Sequence, residues 1–179
     1  GSTRSWQSMA LECMQATTFT NSFKIVDMYM DTQVPAPGQV LLYDEKIARA
    51  REIGKNVMKA LNTKPEERKW LGDPDYGWCP NCHSNSLCLG EPQWKGLQYP
   101  IECTVCGAGG DLERTPYGKW KFVIAANGLE RDRTTEEGRG VHCDEIAETQ
   151  GGFFMDPKKR EEVAAKLPKY KELKFPELD

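Results

Sequence analysis

Cys79-Pro80-Asn81-Cys82, then twenty residues, then Cys103-Thr104-Val105-Cys106-Gly107, is the stretch on which the fold of this 179-residue chain turns. Each C-x-x-C pair presents two thiolates from one tight turn. Four thiolates at the corners of a tetrahedron suit Zn²⁺. Such a site is closed and structural, so Cys79, Cys82, Cys103 and Cys106 are the metal ligands the sequence predicts. Iron held by paired knuckles, as an electron-transfer site, uses the same four residues.

The residues around the pairs extend this reading. Ser86–Leu89 and Leu97–Glu102 are strand candidates separated by a Gly90/Pro92/Gly96 loop. Asp111–Arg114, a Pro116-Tyr117-Gly118 turn and Lys119–Ile124 follow, the last alternating with a period near two. Knuckle, hairpin, knuckle and a further strand is the layout of a zinc ribbon, placed at 79–126. A unit of this size cannot bury a self-sufficient core, so the metal supplies much of its folding energy. Trp78, directly before the first ligand, is expected to shield the metal. His83 is a neighbour of the site, since four cysteines already fill a tetrahedron, and Cys88 is a small core residue. The Gly107–Gly110 run is a turn after the second knuckle; it lacks the spacing, lysine and following helix of a phosphate loop.

Upstream, Trp6, Met9, Ala10, Cys13, Met14 and Thr17 recur at the spacing of one helix face, with Ser5 or Thr3 as N-cap. Residues 23–30 are apolar on both faces apart from Lys24 and Asp27, as expected of a strand in a parallel sheet covered by helices. After a Val34–Gly38 loop, a second helix spans about 44–61, with Asp44 as N-cap. Its predicted buried stripe is Ile47, Ala50, Ile53, Val57, Met58 and Leu61. Lys46, Arg49, Arg51, Glu52, Lys55 and Lys59 form its solvated face. One strand between two helices is an incomplete inventory, because a strand apolar on both sides needs neighbours on each edge. The sheet's other strands are therefore expected from another polypeptide or from a preceding part of the protein. The fold class is thus α/β, in four parts: a partial doubly wound parallel-sheet segment at 1–63, a connector at 64–78, the β-rich ribbon at 79–126, and a charged tail at 127–179. The tail holds a short helix near 143–149, another at 156–166 with Pro157 at its first position, and a docking end built on Tyr170, Leu173, Phe175 and Leu178.

Composition sets bounds on function. Hydrophobic residues make up 39% and charged residues 28%, with a net charge of −3. That charge argues against general affinity for nucleic-acid backbone, and Lys95, Arg114, Lys119 and Lys121 are too sparse for a phosphate-binding stripe. No apolar run approaches the roughly 20 residues of a membrane span. Seven cysteines, four at metal spacing, favour a reducing cytoplasm over a disulfide framework. His142-Cys143-Asp144-Glu145 holds reactive groups but no second cluster to partner them. The chain alone shows no complete catalytic site.

Gly1-Ser2-Thr3-Arg4-Ser5-Trp6, the strand Lys24–Met30, Pro37-Gly38-Gln39-Val40-Leu41-Leu42 and the basic helix after it resemble the C-terminal part of flavodoxin-like NAD(P)H-dependent FMN reductases. The subgroup most resembled carries a C-P-x-C-H … E-C-x-x-C-G zinc ribbon after its last helix. The resemblance spans roughly residues 1–124. It implies that Gly1, Ser2, Thr3 and Arg4 border the flavin ring of an FMN cofactor, that NADH or NADPH is the reductant, and that the protein oligomerises. The family's phosphate-binding loop and first four strands have no counterpart here. The resemblance therefore implies a second polypeptide, or an N-terminal part divided from this chain near Gly1, that completes one flavin site. Two other readings stand beside it: a non-enzymatic zinc ribbon that binds protein or nucleic acid, and a rubredoxin-like iron unit passing electrons to a flavin partner.

Overall fold

A computed structural model describes residues 9–89 and 99–172. By internal contacts the chain forms two units, Gly1–Arg139 and Gly140–Asp179.

The first unit begins with α1 (Ala10–Thr20). The predicted face is not the one this helix buries. Leu11, Gln15 and Phe19 are buried, at i, i+4 and i+8, while Met9 and Met14 are 72% and 65% exposed. The reason lies in what the rest of the chain offers. Phe19 joins the cysteine-rich core, and the more apolar stripe is left without cover among the described residues. Trp6 and the expected caps Thr3 and Ser5 lie outside those residues.

Residues 23–31 form no strand among the described residues, and no parallel sheet is present there either. A strand exists only through ladder partners, and the described residues supply none. The segment is instead held from one side. Leu71 N–H donates to Val26 O at 2.6 Å, Val26 and Met28 are buried, and the carboxylate of Asp27 is fully enclosed.

That carboxylate changes the reading of α2 (Asp44–Leu61). Arg49, expected in the solvated face, reaches both Asp27 oxygens, with Nη1 at 2.9 Å from Oδ2. Asn56 Nδ2 donates to Oδ2 at 2.8 Å. Lys46 pairs with Asp31. The covered face of α2 therefore runs through Lys46, Arg49, Ile53, Asn56 and Ala60, while Val57, Met58 and Leu61 of the predicted stripe are exposed. A buried carboxylate needs paired donors, and this need rather than apolarity sets the helix rotation. Tyr43 occupies the N-cap, so Asp44 and Glu45 fall in the first turn, where negative charge favours the helix dipole.

The sheet is antiparallel, a meander in the order β1-β2-β3-β4. Its strands are β1 (Leu87–Leu89), β2 (Ile101–Cys103), β3 (Gly109–Arg114) and β4 (Trp120–Ile124). Leu87 faces Cys103, Glu102 faces Gly109, and Leu112 faces Phe122. All four strands lie close to where alternation and turn residues placed them. The core is small: Phe19, Ile101, Val105, Ala108 and Phe122 around the four knuckle cysteines, with Ile25, Leu87, Leu112 and Ile124 packed against it.

Downstream, α3 (Glu136–Phe154) is much longer than the short helix expected near 143–149. Thr135 Oγ1 accepts from Gly138 N–H at 3.0 Å, a side-chain cap eight residues before that span. In the second unit, α4 (Pro157–Lys171) starts at the expected proline, with Asp156 as its N-cap. No helix among the described residues is long and apolar enough to cross a membrane.

Candidate metal centre

Cys79, Cys82, Cys103 and Cys106 come together as their spacing predicts. The four sulfurs lie within 4.8 Å of one another. The Cys79–Cys106 and Cys82–Cys103 pairs are each 3.6 Å apart. A metal–sulfur bond of about 2.3 Å in a tetrahedron requires sulfur separations of about 3.8 Å, so the donor set fits a tetrahedral cation. Cys79, Cys103 and Cys106 are wholly inaccessible, and Cys82 is nearly so.

The electrostatics point the same way. The Cys103 thiol is held far below its ordinary range by hydrogen bonds from Cys106, Cys79 and Cys82, against the effect of burial. The Cys82 thiol is driven far up, first by its hydrogen bond with Cys103, then by Cys106, Cys79 and burial. Cys79 is lowered as well and Cys106 raised, so negative charge is favoured at two of the four positions and opposed at the others in the same buried volume. A divalent cation reverses that opposition, because it compensates several thiolates at once.

Local backbone builds each knuckle. In the first, Trp78 and Cys79 N–H both donate to Ser84 O, at 2.9 and 3.0 Å, and His83 N–H donates to Cys79 O at 2.8 Å. In the second, Gly107 N–H donates to Cys103 O at 2.9 Å, and Cys103 N–H to Ala108 O at 2.8 Å. Gly107 has φ +81°, and a Cβ there would lie 2.7 Å from Arg131 O, so no other residue fits this turn without strain.

His83 is not a fifth ligand. Its ring is stacked on Trp70, 3.8 Å between centroids. Its Nδ1 lies 2.9 Å from Tyr76 O, which can only accept, so Nδ1 carries the proton. Trp78, expected to shield the site, is 43% exposed, and the four cysteines are packed instead with Phe19, Ile101, Val105, Ala108 and Phe122. Cys88 is half-buried on β1. On α3 His142 is half-buried, with its Nδ1 3.6 Å from Glu145 Oε2, and Cys143 is exposed. Gly1, Ser2, Thr3, Arg4 and Lys95 lie outside the described residues.

Three contributions to the site were not visible in the residue pattern. Gln15 Nε2 donates to Cys82 O at 2.6 Å, and Glu12 Oε1 accepts from Asn85 N–H at 2.9 Å, so α1 grips the first knuckle. Residues 127–135 close over the second. There Arg133 N–H donates to Cys106 O at 2.8 Å, Gly109 N–H donates to Gly128 O at 2.7 Å, and Asp132 is buried. The signal for α1 was present in Leu11-x3-Gln15-x3-Phe19. A polar residue at its centre hid it.

No family model matches the chain. It is 26% identical over 145 residues to flavone synthase cfoJ of Aspergillus candidus, covering 80% of this chain and 42% of that protein. A solved flavone reductase matches with a TM-score of 0.69 and 25% identity, over 96% of this chain and 55% of that one. At low identity, the chain is related to these oxidoreductases. It spans about half the length of the relatives it matches. Neither name mentions a metal, so the four-cysteine centre stands on this chain's own geometry.

Proposed function

We propose that this chain is the metal-bearing part of an FMN-dependent oxidoreductase of the flavodoxin-like reductase type, and that the flavin site is completed by further strands. Those strands come from a preceding part of the protein or a second polypeptide, which also brings the phosphate-binding loop. The observation that carries this reading is a set of uncovered apolar side chains in the first unit: Met9 and Met14 at and on α1, Phe23 just after it, Leu41 and Leu42 in the turn before α2, and Val57, Met58 and Leu61 along α2. Helices expose such stripes in isolation when a sheet is their normal cover. The relatives' greater length supplies room for that sheet, and their names suggest a flavone-type aromatic ketone as substrate. FMN, when bound, supplies hydride transfer, with NADH or NADPH as reductant.

In this reading the residues of this chain position and cover. Asp27 and Arg49 fix α2 against residues 26–28. The four cysteines hold zinc, which makes a small ribbon rigid enough to pack on α1 through Gln15 and Phe19. The cytoplasm is the compartment proposed, since these thiols must stay reduced.

The test is native purification followed by intact mass, metal and flavin analysis. Stoichiometric zinc, bound FMN and additional polypeptide are expected. A purified assembly in which α1 and α2 are covered by a protein that binds no flavin would sink the reading. Iron in place of zinc would redirect it to electron transfer through the ribbon.

A further inference from the structure

The second unit offers a surface of a different kind. α3 passes into α4 through Met155 and Asp156 alone. The corner is fixed from the α4 side: Asp156 Oδ1 accepts from Lys158 N–H at 3.0 Å, Lys159 Nζ donates to Gly152 O at 3.0 Å, and the Arg160 guanidinium donates to Phe154 O. Phe154 and Met155 stand at this corner and are 55% and 82% exposed. Every residue of α4 is exposed too. An isolated helix of this length is marginal in water, and packing of an amphipathic face is what stabilises such helices in proteins.

The face of α4 that lacks cover is defined by charge as much as by apolarity. Val163, Leu167 and Tyr170 recur at i, i+4 and i+7. Helical rotation puts Lys159 and Lys166 along one edge of this stripe, Arg160 and Lys171 along the other, and Lys158 and Lys169 on the opposite side of the helix. Over its length α4 has six basic residues and two acidic ones, in a chain whose net charge is −3. Residues 140–154 before it contain no lysine or arginine, so the positive charge of this unit's described residues is confined to α4. The cations beside the stripe keep their capacity to bind. Lys159 and Arg160 each spend a donor on a neutral carbonyl and retain their charge and further N–H groups. Lys166 is paired with Glu162 in the open, a contact that water and salt readily exchange.

A narrow apolar stripe with cations on both edges matches one kind of surface. A protein groove that held this helix would have to bury both basic edges. At a bilayer the lysine and arginine stems lie along the acyl boundary while their charged heads reach up to the phosphates. Tyr170, with an apolar ring and a polar hydroxyl, suits the same depth. We infer that α4 and the corner before it form a membrane-surface docking element, in which Val163, Leu167 and Tyr170 enter the headgroup layer of an anionic phospholipid bilayer and Lys159, Arg160, Lys166 and Lys171 bind its phosphates. The helix lies on the surface and does not span it, since no helix among the described residues is long and apolar enough to cross. This inference rests on the second unit alone and does not depend on flavin binding.

The test is co-sedimentation of the 179-residue chain with vesicles of phosphatidylcholine and phosphatidylserine, with pure phosphatidylcholine as the neutral control. Binding to the anionic vesicles alone is expected, and it should weaken as salt is raised. Leu167→Asp should weaken it at least about tenfold, the loss expected when a leucine no longer leaves water. Because α4 buries nothing within the chain, circular dichroism should show the helix content retained. Two lysine pairs carry the decisive comparison. Lys166→Gln with Lys171→Gln should weaken binding about fivefold for each charge removed. Lys158→Gln with Lys169→Gln removes the same charge from the opposite side of the helix and should cost clearly less. Failure to bind anionic vesicles, or equal binding to neutral ones, would overturn the inference. So would binding indifferent to Leu167→Asp, or equal losses from the two lysine pairs, which would mean unoriented attraction. Soluble polyglutamate held as tightly as the vesicles would assign the helix to an acidic protein instead.

Discussion

The side-chain amide of Gln15, 1% exposed, donates to the carbonyl oxygen of Cys82 over 2.6 Å, joining α1 to a cysteine knuckle 67 residues away. This bond and the Phe19 ring make the helix part of the ribbon's core. Gln15→Ala should cost about 1–3 kcal/mol, the usual penalty for stranding a buried polar partner. Urea unfolding of the metal-loaded chain reads that loss, and metal exchange should quicken in the same variant. Unchanged exchange would mean that α1 merely rests on the knuckle.

Replacing Cys103 by Ser should abolish stoichiometric metal and unfold the four-stranded sheet, since structural zinc is worth about 10–16 kcal/mol to small metal-held folds. Acid should have the same effect on the wild-type chain, because protons compete with the cation for the thiolates. Metal analysis and circular dichroism across a pH series measure both. A sheet that survives metal removal would overturn the structural role.

Asp27 gives the pH dependence a second component. Burial raises its pKa, but hydrogen bonds from Arg49 and Asn56, the Arg49 charge and the Met28 amide outweigh it, leaving the carboxyl below its ordinary 3.8. A carboxyl depressed in the folded state stabilises above its unfolded pKa, and that stability is lost as pH falls through the folded value. Asp27→Asn should therefore cost about 3 kcal/mol at neutral pH, the low end for breaking a buried pair because Arg49 keeps some access to water. It should also flatten the acid limb of the stability curve, as measured by thermal melts from neutral pH into the acid range.

Gly77 has φ +75°, and a Cβ there would lie 2.1 Å from the carbonyl oxygen of His83. Gly77→Ala must displace the turn that places Trp78 and Cys79 opposite Ser84. A cost of about 3 kcal/mol or more is expected, from left-handed strain together with the clash. Since Trp70 stacks on His83, tryptophan fluorescence should report the displaced turn as well as a lower melting temperature.

Met58→Lys with Leu61→Lys separates cover from core. Both side chains are more than half exposed, so the stability of the chain by itself should change by less than about 0.5 kcal/mol. Flavin retention in the natively purified assembly should fall sharply, because two buried charges would then oppose docking. Full flavin occupancy in this variant would remove α2 from the proposed interface.

Local pattern made the ribbon legible. Two C-x-x-C pairs, period-two alternation in Lys119–Ile124 and the Pro116–Gly118 turn each act over a few residues, so their consequences could be read in place. The same holds for Pro157 after Asp156, a start signal complete within three residues. Helix rotation was not legible, because apolar periodicity shows which faces can be buried and not which neighbour is present to bury them. On α1, Gln15 outranks Met14 because Cys82 O needs a donor. On α2, Arg49 and Asn56 outrank Met58 because Asp27 is enclosed.

By itself, then, the sequence determined the clustering of the four cysteines, the antiparallel strands around them and the places of α1, α2 and α4, since each depends on chemistry between near neighbours. Only the tertiary structure decided which helix faces the core, that Arg133 and residues 127–135 close over the second knuckle, and that His83 lies against Trp70. Those choices depend on buried polar groups finding partners dozens of residues away, and that pairing leaves no periodic trace in the chain.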